Sequence, residues 1–524
     1  MSVKTRIRLV CAAVSVIITA SGCGSVTVQQ YSTPTDTGLN YYNGESISGV
    51  PISSDAIKPA ERIPAETGTH TSSTSTVVDN PVSSSITESA TTQTEVSSVF
   101  TETSSPATEQ TASHTTTMVQ TSVFTTSSHT ALTTTTKESS NTSPLPSDNL
   151  PVNNYSALNY SEVKGVWISY FELYPILTGK SKSQFASGIG AYYDNCLSLG
   201  INTVFVHVRP YGDAMYKSDY FPWSKYCTGY IGENPGFDPL EVMISEAHSR
   251  GISFHAWINP LRCYQQDDAP YVSDSYLTKQ WYNNDDGDYI VKVNSYWWLN
   301  PAYTEVTDLI ALGVAEIVSK YDVDGIHIDD YFYPTTDSSF DSIAFNKSSY
   351  NDLSQFRLDN CSRMVAGMYN AVKAHNPTAL FGVSAQGNIN NNETQLFADV
   401  VRWSKEDGFV DYMAPQIYYG FENSGQPFAE VVEQWDEMLK GTGRPLIPGL
   451  AVYKIGNEDT WAGSGSQEWI NDKEIIRRQI EKSRTAANYG GVILYSYQFI
   501  FEPESSLNHA VNDEIAAFKP LLIQ

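Results

Sequence analysis

The 524-residue chain carries 58 acidic and 32 basic side chains, a formal net charge of −26, which repels phosphate backbones and excludes nucleic acid as a partner. More than half of residues 69–143 are Ser or Thr, 42 of 75, so that stretch has too few large apolar groups to offset its ordering entropy and packs no core. Six cysteines with no C-x-x-C spacing exclude a disulfide scaffold and argue against a metal cluster.

At the N-terminus, Lys4, Arg6 and Arg8 precede twelve mostly apolar residues, 9–20, followed by Ala20-Ser21-Gly22-Cys23. A basic n-region, a short apolar h-region and small residues read as a secretory signal over residues 1–22. Twelve residues are too few for a helix to cross a bilayer about 30 Å thick. A Cys placed directly after small residues resembles the lipobox of bacterial lipoproteins. That resemblance implies lipidation of Cys23 and a membrane anchor on the extracytoplasmic face. Residues 23–150 follow as a disordered Ser/Thr-rich linker, a spacer between anchor and catalytic head.

From residue 160 to 524 the pattern changes to apolar runs bounded by turns and followed by helical periodicity. Strands are expected at 165–170, 203–209, 253–259, 325–330, 380–385, 412–418, 446–452 and 491–497. Between them, apolar residues at three- and four-residue intervals predict helices at 238–250, 304–320, 353–375 and 473–489. Alternating strands and helices imply a parallel sheet with right-handed crossovers, and eight such units suit a (β/α)₈ TIM-type barrel with enlarged loops. An open doubly wound sheet would favour a Gly-rich phosphate turn after its first strand. This chain reads Tyr-Phe-Glu-Leu-Tyr-Pro there.

Chemistry in such a barrel sits where strands end. That rule singles out Glu172 after the first strand, His207 and Arg209 on the second, and His255, Trp257, Asn259 and Arg262 on or after the third. The fifth to eighth strands add Ser384, Gln386, Gln416, Tyr418, Tyr453, Tyr495 and Tyr497. The fourth carries the sharpest signal, Asp324-Gly-Ile-His-Ile-Asp-Asp-Tyr-Phe-Tyr-Pro334. With a period of two, His327, Asp329 and Tyr331 share one face and Asp330 turns toward a loop or a neighbouring strand end. The acidic doublet is expected to open onto a hollow lined by tyrosines and tryptophans.

The motifs Gly165-Val-Trp-Ile-Ser, His255-Ala-Trp-Ile-Asn-Pro-Leu-Arg262, the fourth-strand run, Met413-Ala-Pro-Gln-Ile-Tyr418 and Gly491-Val-Ile-Leu-Tyr-Ser together resemble the glycosyl-hydrolase-like family 10 domain. The resemblance implies a (β/α)₈ barrel of the bacterial envelope and a glycosidase acting on an N-acetylated cell-wall glycan, peptidoglycan strands. It leaves open a non-catalytic carbohydrate-binding lipoprotein on the same barrel.

Glycosidic hydrolysis usually needs two carboxyl groups whose pKa values are driven apart. Asp329 and Asp330 are the catalytic candidates, one as the acid and the other orienting the acetamido group or raising its neighbour's pKa by like-charge repulsion. Glu172, Asp213 and Glu422 are loop candidates for a partner. A 2-acetamido sugar can instead attack its own anomeric carbon, as in chitinase-type family 18 enzymes, whose fourth strand reads Asp-Gly-x-Asp-x-Asp-x-Glu. Here the acid position is Tyr331 and the middle Asp is His327, so that family's acid does not carry over. Tyr418 resembles its acetamido-holding Tyr. Substrate contacts are expected from Arg209, His255, Asn259, Arg262, His327, Tyr331, Gln416, Tyr418 and Tyr497. The long stretch 260–300 supplies nine Tyr and Trp rings, about half for sugar faces and half, with Trp297 and Trp298 foremost, to hold the loop. No cofactor or metal is needed, although the acidic run 284–288 has the donors for a structural Ca²⁺.

Overall fold

The computed structural model describes residues 14–21, 25–32, 150–265, 267–284 and 288–523. Val14–Ser21 pairs antiparallel with Ser25–Ser32. Cys23, most of the expected linker (residues 33–149) and the core of the acidic run (residues 285–287) lie outside the described residues.

Eight parallel strands follow in chain order: β1 (Val163–Ile168), β2 (Thr203–Arg209), β3 (Ser253–Ile258), β4 (Gly325–Ile328), β5 (Leu380–Val383), β6 (Tyr412–Met413), β7 (Gly449–Ala451) and β8 (Gly491–Tyr495). Their order across the sheet is β6-β5-β4-β3-β2-β1-β8-β7. The two edges then meet, because Ile447 N–H donates to Met413 O at 2.9 Å and Gly449 N–H donates to Pro415 O at 2.8 Å. The sheet thereby closes into the expected (β/α)₈ barrel, with no edge left to pair elsewhere. Every residue of β2 and β3 is buried, as expected for strands covered on both faces.

Two cores result. Val204, Val206 and Val208 face the surrounding helices, while Val163, Trp167, Phe205, Trp257, Tyr412, Ala414, Ile447 and Ile493 fill the barrel interior. Rings this large fit only because neighbouring strands give way. A Cβ on Gly382 would stand 1.9 Å from the Tyr412 ring, and one on Gly325 would stand 2.5 Å from His255 Nδ1.

Helices Thr304–Lys320 and Leu353–His375 have the ends read from the sequence. The other two run Pro239–His248, with Asp238 accepting from Leu240 N–H and Glu241 N–H as its cap, and Ile475–Ser483. Both are shorter than the apolar pattern.

The stretch 260–300 is a small folded unit rather than an open loop. A three-stranded antiparallel sheet, Arg262–Gln265, Tyr296–Leu299 and Ile290–Val293, packs with helix Leu277–Asn283. Trp281 stacks on Tyr289 with centroids 5.3 Å apart, Tyr282 meets Trp297 edge-on at 4.9 Å, and Tyr264 bonds Thr278. Most of these rings therefore hold the unit together, and Tyr271 is exposed.

Beneath the barrel, residues 150–162 seal its N-terminal end. Asp324, fully buried, accepts from Tyr155 OH at 2.8 Å, Leu158 N–H at 2.5 Å, Phe254 N–H at 2.7 Å and His248 Nε2 at 2.8 Å. The four described cysteines are free, buried thiols, and burial raises the pKa of each.

Candidate active site

Asp329 and Asp330 follow the last residue of β4 and are 2 % and 1 % exposed. They are covered more fully than an open hollow would leave them. Asp329 stands above His327 on the inward face. It accepts from Asn259 Nδ2 at 2.9 Å on both carboxylate oxygens, from Trp257 Nε1 at 3.1 Å and from Tyr331 N–H at 3.4 Å. Asp330 turns sideways across two strand ends, accepting from Gln386 Nε2 and Gln416 Nε2, each at 3.2 Å. Gln416 is itself steadied by donating to Ser384 O at 3.1 Å. Among the described residues no Lys or Arg forms an ion pair with either acid.

Burial and the neighbouring charge of Asp330 hold the Asp329 carboxyl well above the usual carboxylate range. Burial also raises Asp330, opposed by the hydrogen bonds from Gln386 and Gln416. Arg262 is the positive charge that acts on both. Its guanidinium lies 4.1 Å from the Tyr211 ring centroid and 4.5 Å from that of Tyr331, and it donates to Tyr211 OH. Cation–π packing on both faces keeps this charge centred without spending it on a carboxylate.

Asn259, Arg262, Tyr331 and Gln416 thus converge with the acidic doublet, while His327 lies beneath Asp329 on the same strand and bonds Trp167 Nε1 and Tyr412 OH instead of either acid. Tyr418 joins a rim of half-buried rings, 5.7 Å from Tyr495 and 5.7 Å from Tyr453, and the charges of Asp329 and Asp330 reach Tyr495.

Three expected contacts are placed elsewhere. A bulge in β2 pairs Arg209 with Ile258 rather than Asn259. It turns the guanidinium out of the barrel onto the Phe221 ring at 4.4 Å, since one extra residue reverses the alternation. Tyr497 begins a helix, Tyr497–Phe501, so strand alternation no longer applies. Its ring stacks on Tyr192 at 4.0 Å and its hydroxyl accepts from Asn195. His255 pairs with Gly325, four residues below the Asp329 level, about 13 Å down the strand. It bonds Tyr412 OH at 3.0 Å and Asn159 at 3.4 Å.

Two of the partner-acid candidates are also occupied, and the third is exposed. Glu172 accepts from Ser169 N–H, from Ser496 Oγ at 2.6 Å and from Gln498 N–H at 2.7 Å, clasping the ends of β1 and β8. Asp213, pushed up to about 6 mainly by burial, accepts from Tyr211 N–H, and Glu422 is exposed. Sequence reading passed over Tyr211, whose only signal was its place in the loop after β2. It also gave no role to the indole donor Trp257 and the amide donor Gln386, which its strand-end rule had located.

The chain is 31 % identical over 344 residues to glycosyl hydrolase YngK of Bacillus subtilis (strain 168), covering 61 % of this chain and 66 % of that protein, just under two thirds of the relative's length. It is 32 % identical over 336 residues to glycosyl hydrolase DigH of Escherichia coli (strain K12), covering 60 % and 75 % of the two chains. Among solved structures it is similar to the PgaB (BpsB) glycoside hydrolase domain from Bordetella bronchiseptica, at 12 % identity and a TM-score of 0.42 over 67 % of this chain and 99 % of that one. Residues 162–463, more than half of the chain, match the model of one family. The chain belongs to the glycosyl hydrolase-like 10 family.

Proposed function

We propose that this protein is a glycosidase that cleaves N-acetylated cell-wall glycan, peptidoglycan strands, at the outer face of the membrane, where a lipid on Cys23 anchors it. The observation that carries this reading is the buried acidic doublet: two adjacent carboxyls held by amide and indole donors, both raised, with one cation shared between them. A carboxyl kept protonated near neutrality is what a general acid requires.

In this mechanism Asp329, the more strongly raised of the two, gives its proton to the glycosidic oxygen as the C1–O bond breaks. The 2-acetamido oxygen bonds to C1 in place of a protein nucleophile. Asp330, whose negative charge Gln386 and Gln416 stabilise, orients the acetamido N–H and balances the cationic intermediate. Water then opens that intermediate and returns a proton to Asp329. The rim of Tyr418, Tyr453 and Tyr495 supplies flat apolar surfaces for pyranose faces.

The test is incubation of the full chain with peptide-free glycan strands and measurement of new reducing ends. The wild type should shorten the strands, and Asp329→Asn and Asp330→Asn should bind them without cleavage. Binding without shortened products in the wild type would instead establish a carbohydrate-binding protein on the same barrel.

A further inference from the structure

His207 has no place in the chemistry above, yet it is built into the site. It is buried at 2 % exposure on β2, and its ring lies flat on Trp257 with centroids 3.3 Å apart and planes within 16°. Its Nε2 meets Asn259 Oδ1. On the far side of the same carboxamide, Asn259 Nδ2 spans both oxygens of Asp329 at 2.9 Å. The second ring nitrogen, Nδ1, is buried and has no hydrogen-bond partner among the described residues.

These contacts determine the proton positions. His207 Nδ1 has no acceptor among the described residues, so a proton there would be an orphaned buried donor, and the His207 proton therefore sits on Nε2. Asn259 must then turn its carbonyl toward His207 and its NH₂ toward Asp329, whichever protonation state the acid is in. Burial holds the imidazole neutral, its pKa well below the ordinary value. The result is a one-way series in which His207 donates to Asn259 and Asn259 donates to Asp329.

We infer that His207 is a positioning residue that locks the Asn259 carboxamide with its NH₂ on Asp329 throughout the reaction. The lock matters in one protonation state. Once Asp329 carries a proton, its O–H is satisfied equally well by the Asn259 carbonyl, and a free carboxamide would turn over to accept it. The Nε2–H of His207 removes that alternative. The donors that stabilise the Asp329 anion are then already in place when the proton leaves, which is electrostatic preorganisation. Without the lock, the protonated state gains a hydrogen bond, the acid weakens and its proton is held to higher pH.

Other groups face Asp329 as well: Asp330 beside it, Arg262 and Tyr331 from the loops after β3 and β4, Tyr495 from β8 and His327 below it on β4. None of them contacts the Asn259 carbonyl. This inference rests on the glycosidase reading for its kinetic consequence but not for its titration consequence, and the experiment separates the two.

Two variants divide ring from donor. His207→Phe keeps the stack on Trp257 and deletes the N–H, whereas His207→Gln restores a donor without the ring. With peptide-free glycan strands, His207→Phe should lower kcat by roughly 3–10-fold with KM changed less than about twofold. Its basic limb of kcat/KM should move up by roughly half to one pH unit. His207→Gln should keep the wild-type limb. A basic limb unmoved in His207→Phe, or moved equally in His207→Gln, overturns the inference, whatever happens to kcat. If the wild type releases no reducing ends, the glycosidase reading falls and the thermal unfolding of the same full-length variants decides the lock. The decline of Tm with rising pH should then extend to higher pH in His207→Phe than in the wild type or His207→Gln. Coincident curves overturn it.

Discussion

Two hydrogen-bond chains built from histidines run through this barrel, and they end differently. In the lower one, Trp167 Nε1 donates to His327 Nε2 at 3.1 Å and His327 Nδ1 meets Tyr412 OH at 3.0 Å. Tyr412 OH then meets His255 Nδ1, and His255 Nε2 reaches Asn159. Each member is neutral and the series runs down to a backbone plug. In the upper chain, His207 acts through Asn259 on a carboxyl whose charge changes. The comparison teaches that a buried imidazole is a strut when its chain ends on a neutral group and a control element when it ends on an acid. Burial pushes His207, His255 and His327 alike below the ordinary pKa, so titration direction alone does not separate them.

The largest effect should come from the acid itself. Removing a general acid costs about 10²–10⁴-fold, so Asp329→Asn should lower kcat by that factor while circular dichroism shows the fold retained. Comparable kcat in the variant would place both chains in the structural class. Next, His327→Phe breaks the lower chain and leaves Trp167 Nε1 and Tyr412 OH partly unpaired inside the barrel. About 2–4 kcal/mol of stability should be lost in denaturant titration, from roughly 1–3 kcal/mol per orphaned buried group. The basic limb of the pH profile should stay where it was. A moved limb would mean that the lower chain also governs the acid.

A third effect is read from stability against pH. The folded pKa of Asp329 is raised. The wild type relative to Asp329→Asn is therefore most stable below about pH 3.9, the unfolded value. It loses ground as pH rises toward the folded value and is level above it, by about 1.4 kcal/mol for each unit of displacement. A difference curve that rises with pH would reverse the assignment of Asp329 as the protonated acid. The smallest effect belongs to Arg209, whose three guanidinium nitrogens are buried with no hydrogen-bond partner among the described residues. Replacing a buried charge without a good partner by a similar apolar group is often neutral or stabilising. Arg209→Met should therefore keep full activity and shift stability by no more than about 1 kcal/mol. A large loss of binding would return Arg209 to the sugar site.

Much of this was legible in the residues. The eight apolar runs became the eight strands, and two helices kept their expected ends at Lys320 and His375. The reason is that 3.6-residue and two-residue periods respond to burial alone. Asp330 reaching Gln386 and Gln416 follows from the same alternation. Failures came where the backbone left its period. The β2 bulge turned Arg209 outward, the helix starting at Tyr497 removed that ring from the mouth, and the aromatic stretch 260–300 folded upon itself.

By itself the chain of residues determined a parallel barrel, the acid-bearing strand end and the family that shares those motifs, because each is written in local spacing. Only the tertiary structure decided which polar strand-end residues meet. Asn259 was expected to touch sugar and instead bridges His207 and Asp329, and Glu172 was a candidate acid and instead clasps β1 to β8. Hydrogen bonds between strands 52 and 70 residues apart for Asn259, and 324 apart for Glu172, depend on barrel register and closure, and no window of sequence contains that information.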